Sequence, residues 1–251
     1  MFEISFIPAF KDNYIWLLHR DRRAFVVDPG DAAPVLARLE ADGLGLEGIL
    51  ITHHHADHQG GVAALTERYP VPVFAPAAES ITGCTHPLFG GESIEVLGCP
   101  VQVMAVPGHT AGHIAYLAGD RLFCGDTLFG AGCGRLFEGT PAQMVASLDA
   151  IAALPLATQV YCAHEYTDVN LRFALAVEPD NRAIQARLAK VAELRGAGLP
   201  SVPSTLAEEK ATNPFLRCRE NDVMAAAVRH GATEVSPVAV FAAIRAWRNV
   251  F

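Results

Sequence analysis

Gly48-Ile49-Leu50-Ile51-Thr52-His53-His54-His55-Ala56-Asp57-His58-Gln59-Gly60-Gly61 is the stretch on which the reading of this chain turns. Its first part is a short, continuous apolar run, as expected for a strand buried on both faces. Its second part sets four imidazoles and a carboxylate within six positions directly after that strand. A lone histidine is ordinarily a satisfied core or surface residue. Four of them at a strand exit are different, because loops there hold functional groups and desolvating several imidazoles without a ligand is costly. The helical pattern His-Glu-x-x-His is absent, so the run predicts a loop-borne metal site.

Outward from this run, three more strand exits carry metal-ligating residues. His109 follows the apolar segment Val101 to Val106, Asp126 follows Leu122 to Cys124, and His164 follows Val160 to Cys162. Each is weak alone. Together they predict a group of donors on one rim of a sheet, enough for a closely spaced pair of divalent ions.

The bulk of the chain fits an ordinary globular enzyme. It has 251 residues, 51% hydrophobic and 18% charged, enough for one large domain or a larger one with a smaller one attached. No stretch approaches the roughly 18 consecutive apolar residues of a membrane span. Lys11 and Asp12 interrupt the first sixteen residues, which therefore read as an edge of the fold and not as a signal peptide. Six scattered cysteines without a Cys-x-x-Cys pair point to core thiols and a reducing, cytoplasmic compartment. The formal net charge of −8 weighs against a nucleic-acid partner but not against a small anion held by a few arginines.

Strand-like and helical segments alternate through the first two-thirds. Tyr14 to Leu18 and Ala24 to Val27 flank a polar turn and read as a hairpin. A helix is expected over Gly60 to Tyr69, and another from the capping box Thr140-Pro141-Ala142-Gln143 to about Leu154. After His164 no good strand run follows. Helices are expected over Asp180 to Arg195, after the second capping box at Thr205 to Glu208, and from Ser236-Pro237 onward. The segments Tyr14 to Asp28 and His113 to Asp126 echo each other as strand, turn, strand, aspartate.

The pattern His-x-His-x-Asp-His followed by single His, Asp and His at strand ends resembles the metallo-β-lactamase superfamily. Further motifs look like the glyoxalase II family, the hydroxyacylglutathione hydrolases. These are Pro107-Gly108-His109-Thr110-Ala111-Gly112-His113, Leu128 to Arg135, Tyr161 to Tyr166, Val202 to Glu209 and Asn213 to Arg217, and the resemblance spans nearly the whole chain. It implies an α/β fold, a four-layer αββα metallo-β-lactamase-like sandwich over residues 1–165, with a C-terminal all-helical glutathione-binding domain over 166–251.

The resemblance also implies the site. His53, His55 and His109 would hold one ion, Asp57, His58 and His164 the other, and Asp126 would bridge them, with Asp57 and Asp126 as the catalytic carboxylates. His54 is not a ligand in the family. Asp28 reads equally as an orienting residue and as a turn residue. The ions would be zinc, with iron or manganese tolerated. Two ions about 3.5–4 Å apart would give a bridging hydroxide at neutral pH to attack a thioester carbonyl. A thiolate leaves without a strong general acid, so Cys133 reads as structural. The implied reaction is S-D-lactoylglutathione plus water to D-lactate and glutathione, a step of methylglyoxal degradation, carried out by a monomer. The alternative within the superfamily is a glutathione persulfide dioxygenase using a single iron. Glutathione contacts map onto Arg135, Phe137, Tyr166, Arg245 and Arg248. Many family members have lysine, tyrosine and lysine where this chain has Arg135, Phe137 and Arg248.

Overall fold

The computed structural model describes residues 2–251. The chain divides into two compact units, one of residues 1–105 with 110–125 and one of residues 106–109 with 126–251.

In the first unit the strands are β1 Glu3–Ala9, β2 Asn13–Arg20, β3 Arg23–Val27, β4 Gly45–Leu50, β5 Val73–Pro76, β6 His86–Leu88, β7 Ser93–Val96, β8 Cys99–Ala105, β9 Ile114–Ala118 and β10 Arg121–Gly125. The helices are α1 Ala32–Asp42, α2 Ala56–Gln59 and α3 Val62–Arg68. Strands β1 to β6 form one mixed sheet in chain order, antiparallel through β3 and parallel from there on. Strands β7 to β10 form an antiparallel meander.

The β2–β3 hairpin turns on Asp21 and Arg22, both left-handed at φ 51° and 64°, the signature of a two-residue turn that matches strand twist. As the apolar run predicts, β4 sits inside its sheet, between β3 and β5, and Ile49, Leu50 and Ile51 are fully buried. Val35, Leu39, Val62 and Leu65 of α1 and α3 pack with Leu17, Val26 and Ile49 of this sheet. The buried Tyr116 hydroxyl donates across to the Ile51 and Phe74 carbonyls at 2.8 and 3.2 Å, tying β9 to the first sheet.

The second unit holds β11 Leu128–Phe129, β12 Gly132–Cys133, β13 Gln159–Cys162 and β14 Ser204–Thr205 with α4 Pro141–Ala152, α5 Thr167–Val177, α6 Arg182–Gly196, α7 Leu206–Thr212, α8 Asn221–Arg229 and α9 Pro237–Val250. The capping box at Thr140 and Gln143 is formed, with the Thr140 hydroxyl accepting from the Gln143 N–H. Leu171, Ala174, Ile184 and Val191 of α5 and α6 bury together. One expectation changes: a strand does follow His164, because β14 pairs antiparallel with β13. At two residues it is too short to show in any apolar pattern.

Candidate metal and substrate site

Unit one supplies His53, His55, Asp57 and His58, all within the loop and one-turn helix that follow β4. The acceptors around these rings assign their tautomers. His58 Nδ1 donates to Asp28 Oδ2 at 3.0 Å, which makes Nε2 the acceptor nitrogen of the ring. Thr52 donates to the same carboxylate through both its hydroxyl (2.7 Å) and its backbone N–H (2.8 Å). The Thr52 hydroxyl therefore accepts from His53 Nδ1 at 3.1 Å. Asp28 thus orients two imidazoles of the loop, one directly and one through Thr52. Asp28 is itself a turn residue, left-handed at φ 53°.

His53 Nε2 stands 3.0 Å from His55 Nδ1. Two nitrogens on one tetrahedral ion at 2.0–2.1 Å would be roughly 3.3 Å apart, so the pair fits a shared cation. His58 Nε2 and Asp57 Oδ2 lie 3.7 Å apart. His54 turns the other way: its Nδ1 and its backbone N–H both donate to Glu79 Oε2, at 3.0 and 2.6 Å. Glu79 also accepts from Thr110 Oγ1 and from the Gly112 N–H at 3.0 Å. Nothing in the sequence around Glu79 signalled this role, because the residue lies in an ordinary loop segment, Ala77 to Ser80.

Unit two supplies His109, Asp126 and His164, each buried. Asp126 presents one carboxylate oxygen to each imidazole: Oδ2 lies 3.4 Å from His109 Nε2, and Oδ1 lies 3.4 Å from His164 Nε2. That is the disposition of a carboxylate shared between two cations. His109 Nδ1 donates to the Arg135 carbonyl at 2.8 Å, and the Phe137 N–H donates to the His109 carbonyl at 3.1 Å. The Tyr166 ring stacks on His164 with centroids 4.8 Å apart and an interplanar angle of 7°. Gly134 lies against two of these residues: a Cβ there would come 2.1 Å from the Asp126 carbonyl and 2.8 Å from His109 Nδ1.

A cavity of about 410 Å³ opens in this unit beside His109 and Asp126. Arg135, Phe137, Tyr166, Arg245 and Arg248 all line it, so the five expected substrate contacts come together. Asp126 is the one carboxylate among the lining residues, facing three guanidinium groups. Burial, and then the charges of Arg245 and Arg135, push the Arg248 guanidinium below its ordinary value, which favours an anion in the cavity. Arg245 is more deeply held than a solvated helix face would suggest: it donates to the Cys133 carbonyl at 2.9 Å and lies over the Phe215 ring. Arg248 donates to Asn170 Oδ1 at 3.2 Å. Burial raises the Cys133 thiol to about 11 despite Arg245, which leaves it protonated and unsuited to nucleophilic attack.

The tail motifs support the loop that walls this cavity. The buried Glu209 accepts from the Ala131 N–H at 2.8 Å and from Arg187 at 2.6 Å. Asn213 Nδ2 donates to the Phe129 and Gly132 carbonyls at 3.3 and 2.9 Å.

Residues 10–164 match the family model of the metallo-β-lactamase superfamily, the class that this α/β sandwich and its imidazole-rich loops define. Residues 165–251 match the model described as the hydroxyacylglutathione hydrolase C-terminus. The chain belongs to the hydroxyacylglutathione hydrolase family. A protein of that name from Dechloromonas aromatica (strain RCB) is 71% identical over 265 residues, covering all of both chains. Among solved structures, ETHE1 from Myxococcus xanthus aligns with a TM-score of 0.68 at 27% identity, over 100% of this chain and 99% of that one. A protein crystallised in a di-iron-bound form aligns at 0.60 and 26% identity, over 85% of this chain and all of that one. The comparisons support the hydrolase reading and not the persulfide dioxygenase alternative. Fold and donor chemistry together fit a dinuclear divalent-metal site. Among the described residues, no helix is long and apolar enough to cross a membrane.

Proposed function

We propose that this chain hydrolyses 2-hydroxyacyl thioesters of glutathione, converting S-D-lactoylglutathione and water to D-lactate and glutathione as a step of methylglyoxal degradation. The observation that carries the reading is Asp126, whose two oxygens each face a different buried imidazole. In this reading His53, His55 and His109 hold one ion, and Asp57, His58 and His164 the other. Asp126 is shared between them. The imidazole-rich set suits zinc best. A pair of divalent ions held there would supply an acidified water and polarisation of the thioester carbonyl.

The protein's own groups do the rest. Asp28 and the Arg135 carbonyl keep His58 and His109 in the tautomer that offers Nε2. Arg135, Arg245 and Arg248 attract the glutathione carboxylates, while Phe137 and Tyr166 flank the peptide. The thiolate departs unprotonated, so Cys133 takes no part. Residues 1–165 act as the catalytic part and 166–251 as the glutathione-binding part, in a monomeric cytoplasmic enzyme whose partner is the small thioester alone.

Metal quantification beside thioester turnover, for the wild type and His109→Ala, tests the reading. Two ions per chain with turnover in the wild type, and loss of turnover in the variant, are expected. Retained turnover in His109→Ala overturns the ligand assignment.

A further inference from the structure

We propose that Asn13 is a positioning residue that fixes how Asp57 binds its ion, an inference that rests on the binuclear reading above. Asn13 opens β2, forty-four residues before Asp57, and lies outside every metal motif in the chain. It is a polar side chain only 7% exposed, and its Nδ2 donates to Asp57 Oδ2 at 3.0 Å.

The surrounding backbone forces this meeting. The β1–β2 hairpin closes on the pair Ala9 and Asn13, and its loop begins with Phe10 in the left-handed region at φ 51°. The Phe10 ring and the Asp57 carbonyl both crowd Gly30, where a Cβ would come 2.9 Å from Phe10 Cε2 and 1.9 Å from the Asp57 oxygen. Because position 30 has no side chain, the hairpin end, the turn after β3 and the Asp57 backbone converge on one point. The Asn13 amide then meets the carboxylate without moving either chain segment.

Asp57 Oδ2 is also the oxygen that lies 3.7 Å from His58 Nε2, so the amide grips the carboxylate by the oxygen that faces the imidazole. The amide therefore holds the carboxylate plane and sets the direction from which Oδ2 meets the ion. Loss of the amide removes a buried contact that orients the carboxylate and so weakens the hold on the ion that Asp57 and His58 would share. Outer partners of ligating carboxylates and imidazoles commonly contribute about 10–100-fold to metal affinity.

The test compares wild type, Asn13→Leu and Asn13→Ser after zinc loading and desalting. Leucine removes the donor at similar size; serine is too short to reach Asp57 and adds no bulk, so it covers the case in which the leucine variant does not fold. The expected result is two ions in the wild type and one retained in each folded variant. The dissociation constant of the second ion rises roughly 10–100-fold, kcat falls with its occupancy, and KM for S-D-lactoylglutathione stays unchanged. The metal-free variants are expected to melt with the metal-free wild type. Variants that hold two ions at wild-type affinity overturn the proposal, and a lowered melting temperature alongside two retained ions assigns Asn13 to the fold alone. A wild type that takes up fewer than two ions overturns the binuclear reading itself, and the Asn13 role with it.

Discussion

At the scale of single residues, the weight falls on Asp126. Its two oxygens serve two imidazoles, so replacing one oxygen removes half of a shared contact without changing the side chain's size. Asp126→Asn is expected to lower kcat/KM by roughly 10²–10³-fold or more, with metal per chain falling in parallel under elemental analysis. Cys133 gives the opposite expectation. Its thiol is buried and raised to about 11, so Cys133→Ala should keep kcat near the wild-type value, and alkylating reagents should leave turnover intact. A large drop in kcat for that variant would give the thiol a chemical role. The histidine run and His109, Asp126 and His164 were legible as candidates because each puts a side chain able to bind a metal just past an apolar run. Asn13 and Glu79 were not, because an amide in a hairpin and a carboxylate in a loop acquire meaning only once the chain brings them to a partner.

Elements tell a similar story about what sequence can show. The helix after Thr140 was legible from its capping box, and β4 from its apolar run. Helix α1 carried its own signals, Asp31 accepting from the Ala33 N–H, left-handed Gly43 at the C-terminus and a buried face of Ala32, Val35 and Leu39. The one-turn α2 had no periodicity to read. The echo between Tyr14 to Asp28 and His113 to Asp126 is real as local structure, since β2–β3 and β9–β10 are both hairpins that lead directly into an aspartate. The β2–β3 turn holds two non-glycine residues in the left-handed region, and Arg22 has no side-chain reason to favour it. Arg22→Gly should therefore stabilise the fold by about 0.5–1 kcal/mol in urea titration. The α6–α7 clamp is costlier to disturb. Burial alone would push the Arg187 guanidinium down, but Glu209 and Glu208 outweigh it and leave it raised. Arg187→Met strands the buried Glu209 charge and is expected to cost about 3–5 kcal/mol. Adding Glu209→Gln should recover part of that loss; a double variant no more stable than the single one would show that the ion pair was not the cause.

For the whole molecule, buried thiols set an alkaline limit. Burial raises Cys133 to about 11 and Cys218 to about 12, against an ordinary value near 9. Unfolding lets both ionise near pH 9, whereas the native chain keeps their protons until about pH 11. The unfolded state then binds fewer protons, so stability is fully present below pH 9 and is lost as pH rises beyond it. Each thiol contributes about 1.4 kcal/mol per pH unit in that window. Melting temperatures taken from pH 8 to 10.5 should fall steeply above 9, and a Cys133→Ala, Cys218→Ala variant should flatten the slope. Charge and composition were legible at this scale, and the hydrolase class followed from motifs spread along nearly the full chain. The bounds of the two compact units were not legible, because residues 106–109 join the second unit while the residues on either side of them belong to the first.

The support of His109 separates two kinds of heritable change. Position 134 admits no side chain at all, since any Cβ would collide with the Asp126 carbonyl. Its neighbours are the reverse. Arg135 holds His109 through its carbonyl and Phe137 through its N–H, while both side chains face the cavity. A codon change at 135 or 137 alters what the cavity grips and leaves intact the backbone bonds that orient the imidazole. The lining of the cavity can therefore change one substitution at a time while the His109 ring keeps both of its backbone supports.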